Sequence, residues 1–252
     1  MSVETITSVK NPLVASLRAL KTAKARRETG LFLVEGETML NEALSSGLTP
    51  RALLAEAETP LAARFPEARL VTRGVLEAVC DTKTPQGMCA AFELPPPCAL
   101  SDAPQTLVAL DGVQDPGNVG TIWRTADAAG FGGLLLGANC ADPYSPKVQR
   151  AAMGSSFRIP CKTVSGLEET LFALRQRGFE ILVSSLSGTD FYSRSQMGSR
   201  LVLVIGNEAR GVSEGVMELA TQKLKLPMRG GAESLNAAVA AGIMMYELTK
   251  SI

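Results

Sequence analysis

The chain has 252 residues, of which 46% are hydrophobic and 20% are charged, as is usual for a folded globular protein. It contains no histidine, and this excludes a Ser-His-Asp triad, a Cys-His pair and a zinc site that uses histidine. Lysine plus arginine and aspartate plus glutamate both number 25. The resulting net charge of zero argues against strong non-specific binding of nucleic acid by the whole surface, although not against a local basic patch.

The first 94 residues predict a small α/β domain. Leu13, Leu17 and Leu20 form an apolar stripe on a helix that begins near Asn11. Apolar runs predict strands at 31–36, 51–56, 70–72 and 87–94, and the segments between them predict helices at 37–47 and 73–81.

The first 30 residues carry a basic run. Its six basic residues stand against Glu4 and Glu28, so that six minus two gives a local charge of +4; they are Lys10, Arg18, Lys21, Lys24, Arg26 and Arg27. The ordinary explanation is a solvated helix face, which this stretch alone favours. The alternative is an arm that contacts phosphate groups through the five residues from 18 to 27.

A proline-rich segment follows the first predicted domain. Residues 95–105 include Pro95, Pro96, Pro97 and Pro104 and show no hydrophobic period. Consecutive prolines neither continue a helix nor donate to a sheet, so we interpret this segment as an extended linker between two domains. A long loop within one domain is the alternative, and compact domains rarely contain such loops.

The remaining residues, 106–252, predict a second α/β domain. Strands are expected at 106–112, 132–137, 179–186, 201–206 and 223–227, and helices from about 118 to 129 and at 145–157, 167–178, 212–220 and 234–250. This alternation predicts a mostly parallel sheet with helices on both faces. The last helix is apolar on nearly every side, which indicates burial.

Five cysteines are widely spaced and form no CxxC pair: Cys80, Cys89, Cys98, Cys140 and Cys161. We interpret them as reduced, mostly buried side chains, and we expect no metal site. The N-terminus has no apolar signal core, and no apolar run reaches the roughly 18 residues of a membrane span. We therefore expect a cytoplasmic protein without a membrane partner.

Three loops that follow predicted strands contain the unusual residues of the second domain. These loops, at 111–120, 206–212 and 227–236, are rich in glycine together with Asn, Asp, Glu or Ser. Ligands of parallel sheets bind beyond the carboxyl ends of the strands, so the three loops predict a single site. The fingerprints GxGxxG and GxxxxGK[ST] are absent, which disfavours a nucleotide polyphosphate and favours an adenosine-like ligand held by main-chain groups.

The same three regions resemble a known family. NVGTIWRTADAAGF (118–131), LVIGNEARGV (203–212) and LPMRGGAESLNAAVAAGIMMYE (226–247) are similar to the signature motifs of the SpoU/TrmH family of RNA ribose 2'-O-methyltransferases. The similarity extends over roughly 106–250 and includes KVQRAAMGSSF, where Ala152 stands in place of a serine found in many members. Residues 1–94 resemble, more loosely, the ribosomal-protein-L30e-like RNA-binding domain of this family.

The resemblance implies an enzyme that uses S-adenosylmethionine and whose C-terminal domain contains a deep trefoil knot. It assigns cofactor binding to Gly206, Leu226, Met228 and Leu235, and glycine suits a backbone that approaches a ligand closely. It also implies a homodimer with active sites near the interface, and structured RNA as the substrate, with rRNA favoured over tRNA. We expect removal of residues 1–95 to preserve cofactor binding and to abolish RNA methylation.

By motif position the resemblance assigns catalytic roles to Asn118, Arg124, Glu208, Ser234 and Asn236. The motif-one arginine, Arg124, is implied to assist removal of the 2'-hydroxyl proton. Because the pKa of free arginine exceeds ~12, orienting the hydroxyl and a phosphate suits it better than acting as a base. Asn118 is expected to bond the arginine or the ribose, and Glu208 to fix its loop or Arg124.

Each of these side chains also has a structural explanation: Asn118 and Ser234 as helix caps, and Arg124 with Glu208 as a surface ion pair.

Two other functions are alternatives to the enzyme. One is a non-catalytic RNA-binding relative, and the other is a nucleotide-dependent enzyme of another class.

Overall fold

The computed structural model describes residues 4–57, 59–96 and 103–250. The chain forms two compact units. The first contains the residues up to Pro96 together with Tyr144–Phe157, and the second contains the remainder. The greater part of the predicted linker 95–105, with Cys98, lies outside the described residues.

The first unit is built on a four-stranded sheet. Its elements are α1 (Pro12–Ala19), α2 (Ala23–Thr29), β1 (Leu31–Glu35), α3 (Glu37–Ser45), β2 (Ala52–Glu56), α4 (Pro60–Arg64), β3 (Arg69–Val71), α5 (Arg73–Val79) and β4 (Met88–Glu93). The strand order is β1-β4-β2-β3, and β4 is antiparallel to both of its neighbours. Successive side chains of β1 alternate between two cores, Leu33 in one and Phe32 with Val34 in the other, as the period of a strand requires.

The basic run of the N-terminus extends over α1, α2 and the turns before and between them, and the structure corrects one of its predicted roles. Arg26 is only 3% exposed, and its Nη1 donates to the carbonyl of Leu20 over 2.6 Å. Lys21 also donates inward, to the carbonyl of Ala78. Arg18 and Arg27 are exposed, so the surface of the arm carries fewer available charges than the sequence predicts.

A segment from the second half of the chain completes the first unit. Its helix Pro146–Ala152 lies where 145–157 was predicted to be helical, but residues 144–157 belong to the first unit and not to the second. The Phe32 ring lies 5.2 Å from the ring of Tyr144 and 6.4 Å from that of Phe157, between centroids. The predicted domain boundaries at 94 and 106 did not include 144–157 in the first unit. Contacts between residues so far apart in the sequence leave no local pattern from which to predict them.

The second unit is built on a six-stranded parallel sheet. Its elements are β5 (Thr106–Asp111), α6 (Pro116–Ala128), β6 (Gly133–Leu136), β7 (Cys161–Thr163), α8 (Leu167–Gln176), β8 (Glu180–Asp190), β9 (Leu201–Gly206), α9 (Glu214–Glu218), β10 (Gln222–Lys225) and α10 (Ala237–Thr249). The helix Pro146–Ala152, which belongs to the first unit, is α7 in chain order. The order is β10-β8-β9-β5-β6-β7, and all pairs are parallel. The core strands are buried on both faces, as predicted.

Two helix starts differ from the predicted ones, because another side chain provides the cap. Asp115 caps α6 by accepting from the Asn118 amide, so Asn118 lies inside the helix and its side chain is not a cap. Asn236 caps α10 by accepting from the amides of Ala238 and Val239, so Ser234 lies outside that helix.

Four of the cysteines lie within the described residues, and all four are free thiols. Cys80 and Cys89 are buried, whereas Cys140 and Cys161 are partly buried. Burial raises the pKa of the Cys161 thiol. Within the described parts of the chain no group of three potential metal ligands occurs, and no helix is long and apolar enough to cross a membrane.

Candidate active site

A pocket of about 660 Å³ lies in the second unit. It is enclosed by the later part of β8, the loop after β9 and the segment that joins β10 to α10. Its position at the carboxyl ends of parallel strands is where ligands of such sheets bind.

The loop after β9 is held rigidly by Asn207. The Asn207 Nδ2 donates to the carbonyl of Gly112 over 2.7 Å, and its Oδ1 accepts from the amides of Ala209 and Arg210, each over 3.0 Å. Asn207 and Gly211 also exchange two backbone hydrogen bonds of 2.9 Å. A Cβ at Gly206 would lie 2.2 Å from the carbonyl carbon of Gly211, so only glycine fits there without displacing the loop.

Three of the predicted catalytic side chains form one hydrogen-bonded cluster. Asn118, which is 9% exposed, donates from Nδ2 to Glu208 Oε1 over 2.8 Å. Its Oδ1 accepts from Nδ2 of Asn236 over 2.9 Å. Asn118 lies in the first turn of α6, Glu208 in the loop after β9 and Asn236 at the start of α10, so this cluster joins the three motifs that the sequence predicted to form one site.

The carboxylate of Glu208 accepts a further hydrogen bond from the loop between β5 and α6, where the Gln114 amide donates to Oε2 over 3.5 Å. Partial burial raises the pKa of Glu208, but the hydrogen bonds from Asn118 and from backbone amides outweigh this and lower it below its ordinary value. Glu208 is therefore ionised at neutral pH. It serves as an anchor for the loops and is poorly suited to take up a proton.

Arg124 is not part of this cluster. It is exposed on α6 and does not line the pocket, and none of the described residues makes a hydrogen bond or ion pair with its side chain. Six residues separate it from Asn118, which on an α-helix is a rotation of about 240°, so the two point in different directions. The predicted contacts of Arg124 with Asn118 and with Glu208 are therefore absent in this structure.

All four predicted cofactor residues line the pocket: Gly206, Leu226, Met228 and Leu235. Ser234, Glu208 and Asn236 line it as well. Among the lining residues that the prediction missed, Asn207 had a signal, because it follows Gly206 directly in the second motif. Arg210, in the loop after β9, and Lys225, at the end of β10, also line the pocket, and only their charge distinguished them in the sequence.

The fold and this pocket define an α/β protein with a ligand-sized pocket at the carboxyl ends of its parallel strands. Residues 105–246 match the model of the SpoU rRNA Methylase family, and residues 11–90 match an MRM3-like substrate binding domain. The chain belongs to the SpoU rRNA methylase family.

Similar proteins match nearly the whole chain. It is 36% identical over 246 residues to the 23S rRNA (guanosine(2553)-2'-O)-methyltransferase RlmP of Bacillus subtilis, covering 96% of this chain and 98% of the relative. An AdoMet-bound rRNA methyltransferase from Sinorhizobium meliloti is 35% identical with a TM-score of 0.86, covering 98% of this chain and 97% of that chain. A structure concerned with 2-OH methylation on tRNA is 30% identical with a TM-score of 0.53, covering 58% and 95%.

These similarities confirm the predicted class: an S-adenosylmethionine-dependent RNA 2'-O-methyltransferase with the knotted α/β fold of the SpoU enzymes. A nucleotide-dependent enzyme of another class and a non-catalytic relative are thereby set aside.

The pocket suits S-adenosylmethionine on its own chemistry. Leu226 and Leu235 supply apolar wall for an adenine ring, and the hydroxyls of Ser184 and Ser187 offer polar partners. The missing side chain at Gly206 allows the backbone of Gly211 and Val212 to pack directly against it, which closes the loop that lines the pocket.

Proposed function

We propose that the protein methylates a ribose 2'-hydroxyl in structured 23S rRNA. The extent of the similarities supports this substrate. The relative named for 23S rRNA matches 96% of the chain, whereas the structure concerned with tRNA matches only 58%. The first unit, which contains the match to a substrate binding domain, thus has a counterpart in the rRNA relative. We also place the protein in the cytoplasm, with the ribosomal RNA.

The bound cofactor supplies an activated methyl group on a sulfonium, so the chain must chiefly hold the cofactor and orient the hydroxyl. The Asn118–Glu208–Asn236 cluster fixes the loops around the pocket, so that their backbone groups are positioned before a ligand arrives. Ser234 places a hydroxyl at the pocket, within reach of a bound ligand.

Arg124 is proposed to orient the 2'-hydroxyl and the adjacent phosphate. A guanidinium can donate to two oxygens of one phosphate, so a phosphate that relays the proton suits this role better than direct base action. Since Arg124 does not line the pocket of its own chain, we propose that it serves the pocket of a second copy.

A homodimer through α10 and α6 would provide that arrangement. Val239 and Tyr246 of α10 are each 51% exposed, and they lie seven residues apart on one face of the helix. The two helices pack closely, since a Cβ on Gly242 would lie 3.5 Å from Cγ2 of Thr125, the neighbour of Arg124. This apolar face next to Arg124 is suited to a symmetric contact.

The proposed activity is tested with methyl-labelled S-adenosylmethionine and three RNA substrates: 23S rRNA, assembled large subunits and tRNA. We expect label in the rRNA, at a single ribose 2'-oxygen located by mass spectrometry, and its absence from the same position in cells that lack the protein. Label confined to tRNA, or on a base, would overturn the proposal.

The shared site is tested by mixing two variants, Arg124→Ala and Gly206→Ala, after dissociation and reassociation, at a cofactor concentration too low to fill the weakened pocket of Gly206→Ala. If Arg124 acts on the partner's pocket, each mixed dimer has one intact site, and an equal mixture regains about a quarter of the wild-type rate. A mixture as inactive as its parents would show that Arg124 acts within its own chain.

A further inference from the structure

Two basic side chains line the pocket without a partner of opposite charge. Arg210 stands in the loop after β9, and Lys225 ends β10. Neither side chain makes a hydrogen bond or an ion pair with any residue in the described stretches of the chain. Both charges are therefore available to a ligand.

The acidic side chain at this pocket does not compensate these charges. Among the described residues that line it, Glu208 alone is acidic. Its carboxylate accepts hydrogen bonds from Asn118 and from the amide of Gln114, and neither basic side chain contacts it. The pocket wall consequently has an excess of positive charge, in a protein whose net charge is zero.

The backbone that carries Arg210 is fixed in advance. Its amide donates to Asn207 Oδ1 over 3.0 Å, and the next residue, Gly211, adopts a left-handed φ of 72° and bonds back to Asn207. A side chain on such a loop loses little backbone freedom when it binds. The planar guanidinium suits two oxygens of one phosphate, and a lysine ammonium adds a point charge.

The cofactor alone does not account for this charge. S-adenosylmethionine carries a sulfonium and an ammonium against a single carboxylate, so two basic residues disfavour it overall. An RNA strand brings one negative charge with each phosphate and would neutralise the wall.

We propose that Arg210 and Lys225 form an anion subsite that binds a backbone phosphate of the RNA next to the methylated ribose. This inference rests on the proposed function. The carboxylate of S-adenosylmethionine shares the anionic chemistry of a phosphate, and the experiment below separates the two sources.

The test compares Arg210→Ala, Lys225→Ala and Arg210→Lys with the control Arg175→Ala. Arg175 is an exposed arginine on α8 that does not line the pocket, so its removal deletes the same charge elsewhere. For each protein we would measure the Kd for S-adenosylmethionine by calorimetry, kcat and KM for 23S rRNA, and the salt dependence of kcat/KM.

For Arg210→Ala we expect KM for RNA to rise about tenfold, because a charge-assisted hydrogen bond is lost, while the Kd for the cofactor is unchanged. The slope of log kcat/KM against log salt should fall by about 1. Lys225→Ala should act in the same direction, and Arg210→Lys should recover part of the loss. The control should match the wild type.

A weaker cofactor Kd with an unchanged KM for RNA would assign the subsite to the cofactor carboxylate and overturn the inference. So would variants at both positions that match the control. A wild-type protein that methylates no RNA would instead refute the proposed function, before any variant is compared.

Discussion

The basic arm of the first unit (residues 18–27) and the loop cluster of the second (Asn118, Glu208 and Asn236) were both identified from residue types. In the structure their side chains make different kinds of hydrogen bond. In the loop cluster Asn118, Glu208 and Asn236 bond one another across about half of the chain. In the arm Arg26 and Lys21 bond backbone carbonyls of their own unit. A basic residue on a helix thus has structural uses that its charge does not reveal.

The difference follows from where the residues stand. Polar side chains in glycine-rich loops at strand ends have few unpaired backbone groups of helices nearby. Their hydrogen bonds are therefore made to one another or to a ligand. A long basic side chain can bury its stem and still reach a carbonyl at a helix end, as Arg26 does at Leu20, where α1 ends.

Removal of residues 1–95 tests the division of labour between these two regions most strongly. We expect RNA methylation to be abolished, because the substrate-binding match lies within the deleted part. Binding of S-adenosylmethionine should persist, because the pocket-lining residues that the structure describes all lie between 184 and 240. Calorimetry, with thermal unfolding to show that the remainder is folded, would measure this. Full methylation by the truncated protein would contradict the assignment of the first unit.

Gly206→Ala tests whether the loop cluster is as rigid as its hydrogen bonds indicate. The added Cβ would lie 2.2 Å from Gly211, and we expect cofactor affinity to fall about a hundredfold, which equals about 3 kcal/mol. Gly230→Ala is the matched control, since a Cβ there would meet no atom within 4 Å. Equal affinities for the two variants would mean that the loop yields easily.

Charge removal within the arm should separate the buried arginine from the exposed ones. We expect Arg26→Ala to lower the free energy of unfolding by about 2 kcal/mol, because the Leu20 carbonyl loses a charged donor. Arg18→Ala with Arg27→Ala should change stability by less than about 0.5 kcal/mol. The double variant should instead reduce the salt slope of RNA binding by about 2. Denaturant unfolding and binding titrations measure both, and the reverse pattern would restore Arg26 to the RNA surface.

A small effect is also expected in the pH dependence of stability that Glu208 causes. Its folded pKa is lowered, so its contribution to stability is present above its unfolded pKa of about 4.3 and is lost as the pH falls through the folded pKa. The difference in unfolding free energy between wild type and Glu208→Gln should therefore be greatest at neutral pH. It should stay below about 1 kcal/mol, because the side chain is exposed. A difference that grows in acid would contradict this.

Local patterns predicted most of the strands, and strand β9 occupies the predicted residues. The family resemblance, rather than a local pattern, assigned Gly206, Leu226, Met228 and Leu235, all of which line the pocket. The three-residue strand β7 was too short to show a period. Helix geometry shows that the side chains of Asn118 and Arg124 point in different directions. The sequence motif contains both residues and does not indicate this difference. The place of Tyr144 in the first unit depends on a tertiary contact with Phe32, which no local pattern encodes.

The segment 144–157 also has a consequence for biosynthesis. During translation the residues up to Pro96 emerge first, but the core around Phe32 lacks Tyr144 and Phe157 until more than half of the 252 residues have been made. The first unit therefore closes its core only after the first strands of the second unit, β5 and β6, have left the ribosome. Folding of the two units is interleaved in time, and a nascent chain stalled before residue 157 presents unfilled apolar surface to chaperones.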